Sequence, residues 1–253
     1  MKKGSDVFCT VDEGVAVLKN TSLPTLIVEG RSDMLFYRNI EQLCLDSEID
    51  ILPVGSRQTL IKLYERRAEF SASNVAFLAD SDLFCVSEYP ASLTGIIFTK
   101  GYSIENDILS GGKAFRTINK RNKKQWNDLL EELSRWFASL AHRKMIGEQV
   151  EYADHPNQVV DFQTIKLRKK AAMSLIQDEQ LSSKVKLIRQ SPIFFLRGHT
   201  LLNALGHFLA LKNTEPKCSK DMLLHIDVVA WDSNSTLCEL IQKIKVSISD
   251  RKA

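Results

Sequence analysis

Long hydrophobic runs are missing from this sequence. No uninterrupted apolar stretch approaches the roughly 20 residues a helix needs to cross a bilayer, which argues against a membrane protein. The basic start, MKKGSDVF, has no apolar segment behind it, so no signal peptide is expected and the chain reads as cytoplasmic. Cysteine is scarce as well. The five, at positions 9, 44, 85, 218 and 238, form no CxxC pair. An odd, scattered set excludes a disulfide framework or zinc ribbon and leaves reduced, mostly buried thiols. His142, His155, His207 and His225 lack metal-ligand spacing and read as structural or surface residues. A phosphate loop is absent too: Gly111-Gly112-Lys113 is followed by Ala114 where Ser or Thr is needed, and the upstream glycine is missing. Internal repeats, low-complexity stretches and flexible linkers are also lacking.

What is present is an ordinary globular composition, 253 residues with 44% hydrophobic and 26% charged side chains. That suits one large domain or a domain with a helical annex. The first hundred residues alternate in pattern. Leu23–Glu29, Ile49–Val54, Val75–Ala79 and Gly95–Phe98 are short apolar runs that read as buried strands. Between them, helices are expected over about 33–45, opened by Ser32, and about 57–71, opened after Gly55-Ser56. Apolar strands alternating with amphipathic helices predict an α/β fold whose parallel sheet is covered on both faces. Beyond about residue 104 the period becomes helical. Trp126, Leu129, Leu130, Leu133, Trp136, Phe137 and Leu140 mark one long amphipathic helix, their stripe read as core. Further helices are expected over about 157–180, from Thr200 to about 212, and over 235–247, with a short strand at Ile193–Leu196. The resulting division is a core over 1–112 and a mainly helical, basic region over 113–253 packed on it.

Acidic residues punctuate the strand ends. Glu29 closes the first strand before Gly30, Asp33 follows four residues later, and Asp80-Ser81-Asp82 follows the third strand. In a doubly wound sheet the carboxyl ends of parallel strands share one edge, where ligands bind. Carboxylates gathered there raise one another's pKa unless a cation intervenes, and Mg²⁺ prefers such hard oxygen donors. If the D-x-D is extended, its two carboxylates face opposite ways, one ligating directly and the other through water or a second ion. Glu29 is the hardest of these acids to explain structurally, because a charge ending an apolar strand needs a partner.

Val28-Glu29-Gly30 with Asp33, followed by Leu78-Ala79-Asp80-Ser81-Asp82, resembles the Toprim domain of primases, topoisomerases, recombination mediators and OLD-family nucleases. The resemblance covers residues 23–110 and implies a Toprim-like, Rossmannoid core in which Glu29, Asp80 and Asp82 coordinate Mg²⁺ or Mn²⁺, one or two ions. The E-x-x-x-D spacing and the later Glu105, in Gly101-Tyr102-Ser103-Ile104-Glu105-Asn106, look more like OLD-type nucleases and the DUF4435 branch of Toprim proteins. That likeness adds Asp33 and Glu105 to the metal set, with Glu105 as a second-metal ligand or general base. It also implies a toxic effector of anti-phage defence held by an ABC-type ATPase partner. Near Phe195-Leu196-Arg197-Gly198-His199-Thr200 the likeness is looser, and His199 stands where relatives carry lysine.

Charge distribution favours a polyanionic partner. Lys113–Gly147 holds nine Lys or Arg (113, 116, 120, 121, 123, 124, 135, 143, 144) against three acids (128, 131, 132). Lys113, Arg116, Lys120 and Arg121 are the candidate backbone contacts, with Arg197 and His199 before a helix onset where N–H groups can meet a phosphate. The expected function is a metal-dependent nuclease acting on DNA or RNA, tRNA included. A non-catalytic nucleic-acid-binding or regulatory subunit is the competing reading. A dehalogenase-like phosphatase fits less well, since its D-x-D sits on the first strand. Oligomeric state stays open, a homodimer included.

Overall fold

The computed structural model describes residues 10–30, 36–38, 40, 49–152, 155–211 and 219–249. It is an α/β protein with a four-stranded, all-parallel sheet and a helical C-terminal part. Two compact units are distinguished: residues 1–80, 89–99 and 238–253, and residues 81–88 and 100–237.

The first unit carries the sheet. Its strands are β1 (Thr25–Val28), β2 (Asp50–Pro53), β3 (Val75–Ala79) and β4 (Ile97–Phe98), in the order β2-β1-β3-β4. Leu26, Ile27, Val28, Phe77 and Leu78 are at most 1% exposed, and each side chain so removed from water contributes about 1.5–3 kcal/mol. One face, Ile27 with Val75, Phe77 and Ala79, packs on α1 (Val11–Asn20) through Val15 and Leu18 and on α2 (Arg57–Glu65) through Leu60, Leu63 and Tyr64. The opposite face, Leu26, Val28, Ala76 and Leu78, is equally buried, as a parallel sheet requires. Helix α1 is not among the sequence expectations. It starts on a capping box in which the Glu13 N–H donates to Thr10 Oγ1 at 3.3 Å and the Thr10 N–H donates to Glu13 Oε2 at 2.6 Å. The helix expected over about 33–45 falls largely outside the described residues, and Asp33 lies outside them altogether.

The second unit is built on α3 (Ile104–Leu109) and α4 (Lys123–Met145), with α5 (Lys169–Met173), α6 (Ser183–Gln190), α7 (Pro192–Phe195), α8 (Gly198–Leu211) and α9 (Lys220–Val229). The aromatic stripe of α4 is core: Trp126, Leu129, Leu133 and Phe137 are buried with Leu201, Leu205 and Phe208 of α8. Two expectations are corrected. No helix spans 157–180; a hairpin of β5 (Val160–Asp161) and β6 (Lys166–Leu167) precedes α5. Asp161 Oδ1 accepts the N–H groups of Gln163 and Thr164 at 2.9 and 3.1 Å, an Asx turn that competes with helix, and Ile165 takes φ 54° to close it. Ile193–Leu196 is no strand either, because Pro192 presets the first turn of α7. The last helix, α10, spans Ser235–Ser249. No helix among the described residues is long and apolar enough to cross a membrane.

Candidate functional site

The chain leaves β1 for β2 on one side and then reaches β3 on the other, so strand order reverses between β1 and β3. Loops diverge at such a point and open a crevice at the carboxyl edge. The parallel register pairs Val28 with Leu78, which sets Glu29 level with Ala79, one residue before Asp80. The Asp80 N–H donates to Glu29 Oε1 at 3.0 Å. The first unit therefore unites two of the expected acids at the expected edge.

Arg57 joins them, a residue the sequence reading passed over. The register of β1 with β2 pairs Val28 with Pro53. Gly55, at φ 89°, and the N-cap Ser56 then turn the chain so that Arg57 opens α2 beside Glu29. Its Nε lies 3.1 Å from Glu29 Oε1, with 23% and 24% of the two side chains exposed. Its Nη2 donates to the Asp80 carbonyl oxygen. Half-buried Glu29 is thus oriented by one backbone donor and one guanidinium. The donor set, two carboxylates on adjacent strand ends, fits a hard divalent cation in kind, and Arg57 already supplies one compensating positive charge. Among the described residues, no three or more His, Cys, Asp or Glu side chains are gathered as a metal-binding group.

The Asp80-Ser81-Asp82 segment is not extended. Ser81 is helical in backbone (φ −74°, ψ −30°) and fully buried, and Asp82 adopts φ 46°. Aspartate is among the few residues that tolerate this left-handed region. In the second unit the Asp82 N–H donates to the Tyr102 carbonyl oxygen at 2.7 Å. Burial, and then the Asp82 carboxylate, hold the Tyr102 phenol well above its ordinary range and push the Cys85 thiol up to about 12. Cys85 is therefore an inert thiol at neutral pH.

The same unit places Glu105 on α3. Ser103 caps that helix in a box with Asn106, and its Oγ donates to Glu105 Oε2 at 2.5 Å. Asn106, fully buried, donates from Nδ2 to the carbonyls of Ile193 and Leu196 at 2.6 and 2.9 Å. It latches α3 to the segment before Arg197-Gly198-His199. A Cβ on Gly198 would stand 2.1 Å from Ser103 Oγ, 2.7 Å from Asn106 Oδ1 and 2.9 Å from Glu105 Oε2, so only glycine fits. Glu105 thereby lies against the first residue of α8, at the positive end of that helix. Arg197 packs its guanidinium over the Tyr152 ring at 4.8 Å, Lys144 Nζ stands 3.7 Å from the same ring, and the Tyr102 and Tyr152 hydroxyls are 3.1 Å apart. His199 is exposed. Tyr152 is a second residue the sequence reading missed, since its partners are distant in the chain.

Of the basic candidates, Arg116, Lys120 and Arg121 are exposed, as are Lys123 and Lys124 at the start of α4, whose first turn holds no acid. Lys113 is half-buried. Its N–H and that of Ala114 donate to the two oxygens of buried Asp227, each at 2.8 Å. Its backbone role is structural.

No family model matches the chain, and no curated protein matches it significantly.

Proposed function

We propose that this protein is a metal-dependent nuclease that hydrolyses nucleic-acid phosphodiesters, with Glu29 and Asp80 as its primary metal ligands. The observation that carries the proposal is their pairing at the carboxyl edge of adjacent parallel strands, where the strand order reverses. Asp82, Asp33 and Glu105 join the set through the sequence resemblance to Toprim nucleases. When bound, Mg²⁺ or Mn²⁺ would supply Lewis acidity to the phosphodiester and to the attacking water. The chain's own residues do the rest. The Asp80 N–H and Arg57 hold Glu29 in one orientation, with the Glu29 carboxylate presented as a donor. Arg57 offsets the charge of the Glu29 carboxylate. Arg116, Lys120 and Arg121, all exposed, offer cations to backbone phosphates. The resemblance extends the reading to an anti-phage effector restrained by an ABC-type ATPase, acting on DNA or RNA.

The Glu29–Arg57 ion pair favours a second reading, a nucleic-acid-binding or regulatory subunit without catalysis, because Glu29 is balanced by protein alone. Incubating the purified protein with end-labelled DNA, RNA and tRNA, with Mg²⁺, Mn²⁺ or chelator, separates the two. The nuclease reading expects metal-dependent cuts that Asp80→Asn removes. Strands retained but never cut, with no heat on Mn²⁺ titration, support the second reading and overturn the first.

A further inference from the structure

Arg57 stands at the first position of α2, a helix with no acid in its first turn. A cation there opposes the helix dipole, so helix formation does not call for it. Ser56 already caps that end, its Oγ accepting the Thr59 N–H at 3.1 Å. The guanidinium is held instead by Glu29 and the Asp80 carbonyl, both within the first unit. Glu29 Oε1 accepts Arg57 Nε at 3.1 Å and the Asp80 N–H at 3.0 Å. Two donors fill both lone-pair directions of that oxygen. They differ in freedom. The Asp80 N–H is backbone just past β3, whose end is pinned where the Thr99 N–H donates to the Ala79 carbonyl at 3.1 Å. Arg57 hangs on a flexible stem with 23% of its side chain exposed, so it can turn outward into water.

A divalent cation that takes Glu29 Oε1 must therefore displace Arg57. One that takes Oε2 stands beside a guanidinium charge that repels it. We propose that Arg57 is a built-in counter-cation of this edge, competing with the divalent metal for Glu29 and leaving it when the metal enters. The inference rests on the metal site of the nuclease reading and adds its regulation. Without metal, the guanidinium neutralises Glu29, which spares the fold an unpaired, half-buried charge. With metal, the ion takes over that role. Arg57 thereby sets the metal concentration above which the edge is occupied.

Calorimetry of Mn²⁺ binding to the full chain tests this. The proposal expects Arg57→Gln to bind Mn²⁺ about tenfold more tightly than the parent. Arg57→Lys, which keeps the charge, should stay close to the parent, and Glu29→Gln should lose the site. Mn²⁺ should also raise the Tm of Arg57→Gln more than that of the parent. Equal or weaker Mn²⁺ affinity in a folded Arg57→Gln protein overturns the proposal and leaves the metal reading standing. No Mn²⁺ heat in either the parent or Arg57→Gln overturns both, so the two failures stay distinguishable. A measurement on the parent is independent of how the glutamine variant folds. The Arg57 Nε–H resonance, assigned by its absence from the spectrum of Arg57→Lys, should exchange faster with water once Mg²⁺ is saturating. A resonance and exchange rate unchanged at saturating Mg²⁺ overturn the proposal.

Discussion

Removing the Asn106 side chain should cost the second unit much of its stability. The Asn106 Oδ1 accepts the Ser103 N–H at 3.0 Å, and its Nδ2 donates to the Ile193 and Leu196 carbonyls at 2.6 and 2.9 Å. A fourth contact, from Ser103 Oγ at 2.9 Å, is shared with Glu105, which competes for the same hydroxyl proton. Three secure bonds at about 1 kcal/mol each, at a fully buried position where the abandoned groups meet no water, give about 3–5 kcal/mol for Asn106→Ala. That corresponds to a drop in Tm of about 6–20 °C for a chain of this size. Asn106→Asp should be comparably destabilised at pH 7, since an oxygen then faces two carbonyl oxygens. The aspartyl pKa is thereby raised in the fold. Its stability should recover at low pH, where the protonated acid can donate one bond, and be lost as pH rises through the folded pKa. Thermal unfolding by circular dichroism across pH 4–8 measures both. An Asn106→Ala protein within about 1 kcal/mol of the parent, or an Asn106→Asp deficit independent of pH, refutes the latch.

Other perturbations have defined outcomes. Asp227→Ala leaves the Lys113 and Ala114 N–H groups without their acceptor and should cost about 2–4 kcal/mol in denaturant unfolding. Burial, and then the neighbouring His155, hold His207 below its ordinary pKa of 6.5. The unfolded chain therefore binds that proton more readily, and stability falls as pH drops through 6.5 toward the folded value. His207→Gln should flatten the dependence of Tm on pH in that window. If exposed Lys120 and Arg121 contact phosphates, changing both to alanine should make the slope of log affinity against log salt shallower by about 0.7–0.9 per contact.

The sheet was largely legible because its strands are buried on both faces and so read as unbroken apolar runs, Thr25–Val28 and Val75–Ala79 above all. Glu29 and Asp80 were legible for the same reason, each a charge ending such a run. Their juxtaposition needed the strand order, which no local pattern encodes. Arg57 was missed because its place beside Glu29 depends on the β1–β2 register and on a left-handed Gly55. Helix α1 had a readable signal in Thr10-Val11-Asp12-Glu13, the spacing of its capping box. The span 157–180 was misread because local turn chemistry at Asp161 outweighs its helical composition. The bend at Asp80-Ser81-Asp82 was hidden too, since aspartate's tolerance of positive φ does not reveal where it is used.

Glu29→Gln tests the central claim most directly. Glutamine keeps the shape and an oxygen able to accept the Asp80 N–H, while removing the charge offered to a cation and to Arg57. With folding verified by circular dichroism, Mg²⁺-dependent cleavage of labelled nucleic acid should disappear while strand binding persists. A folded Glu29→Gln protein that cuts at the parent's rate contradicts the account.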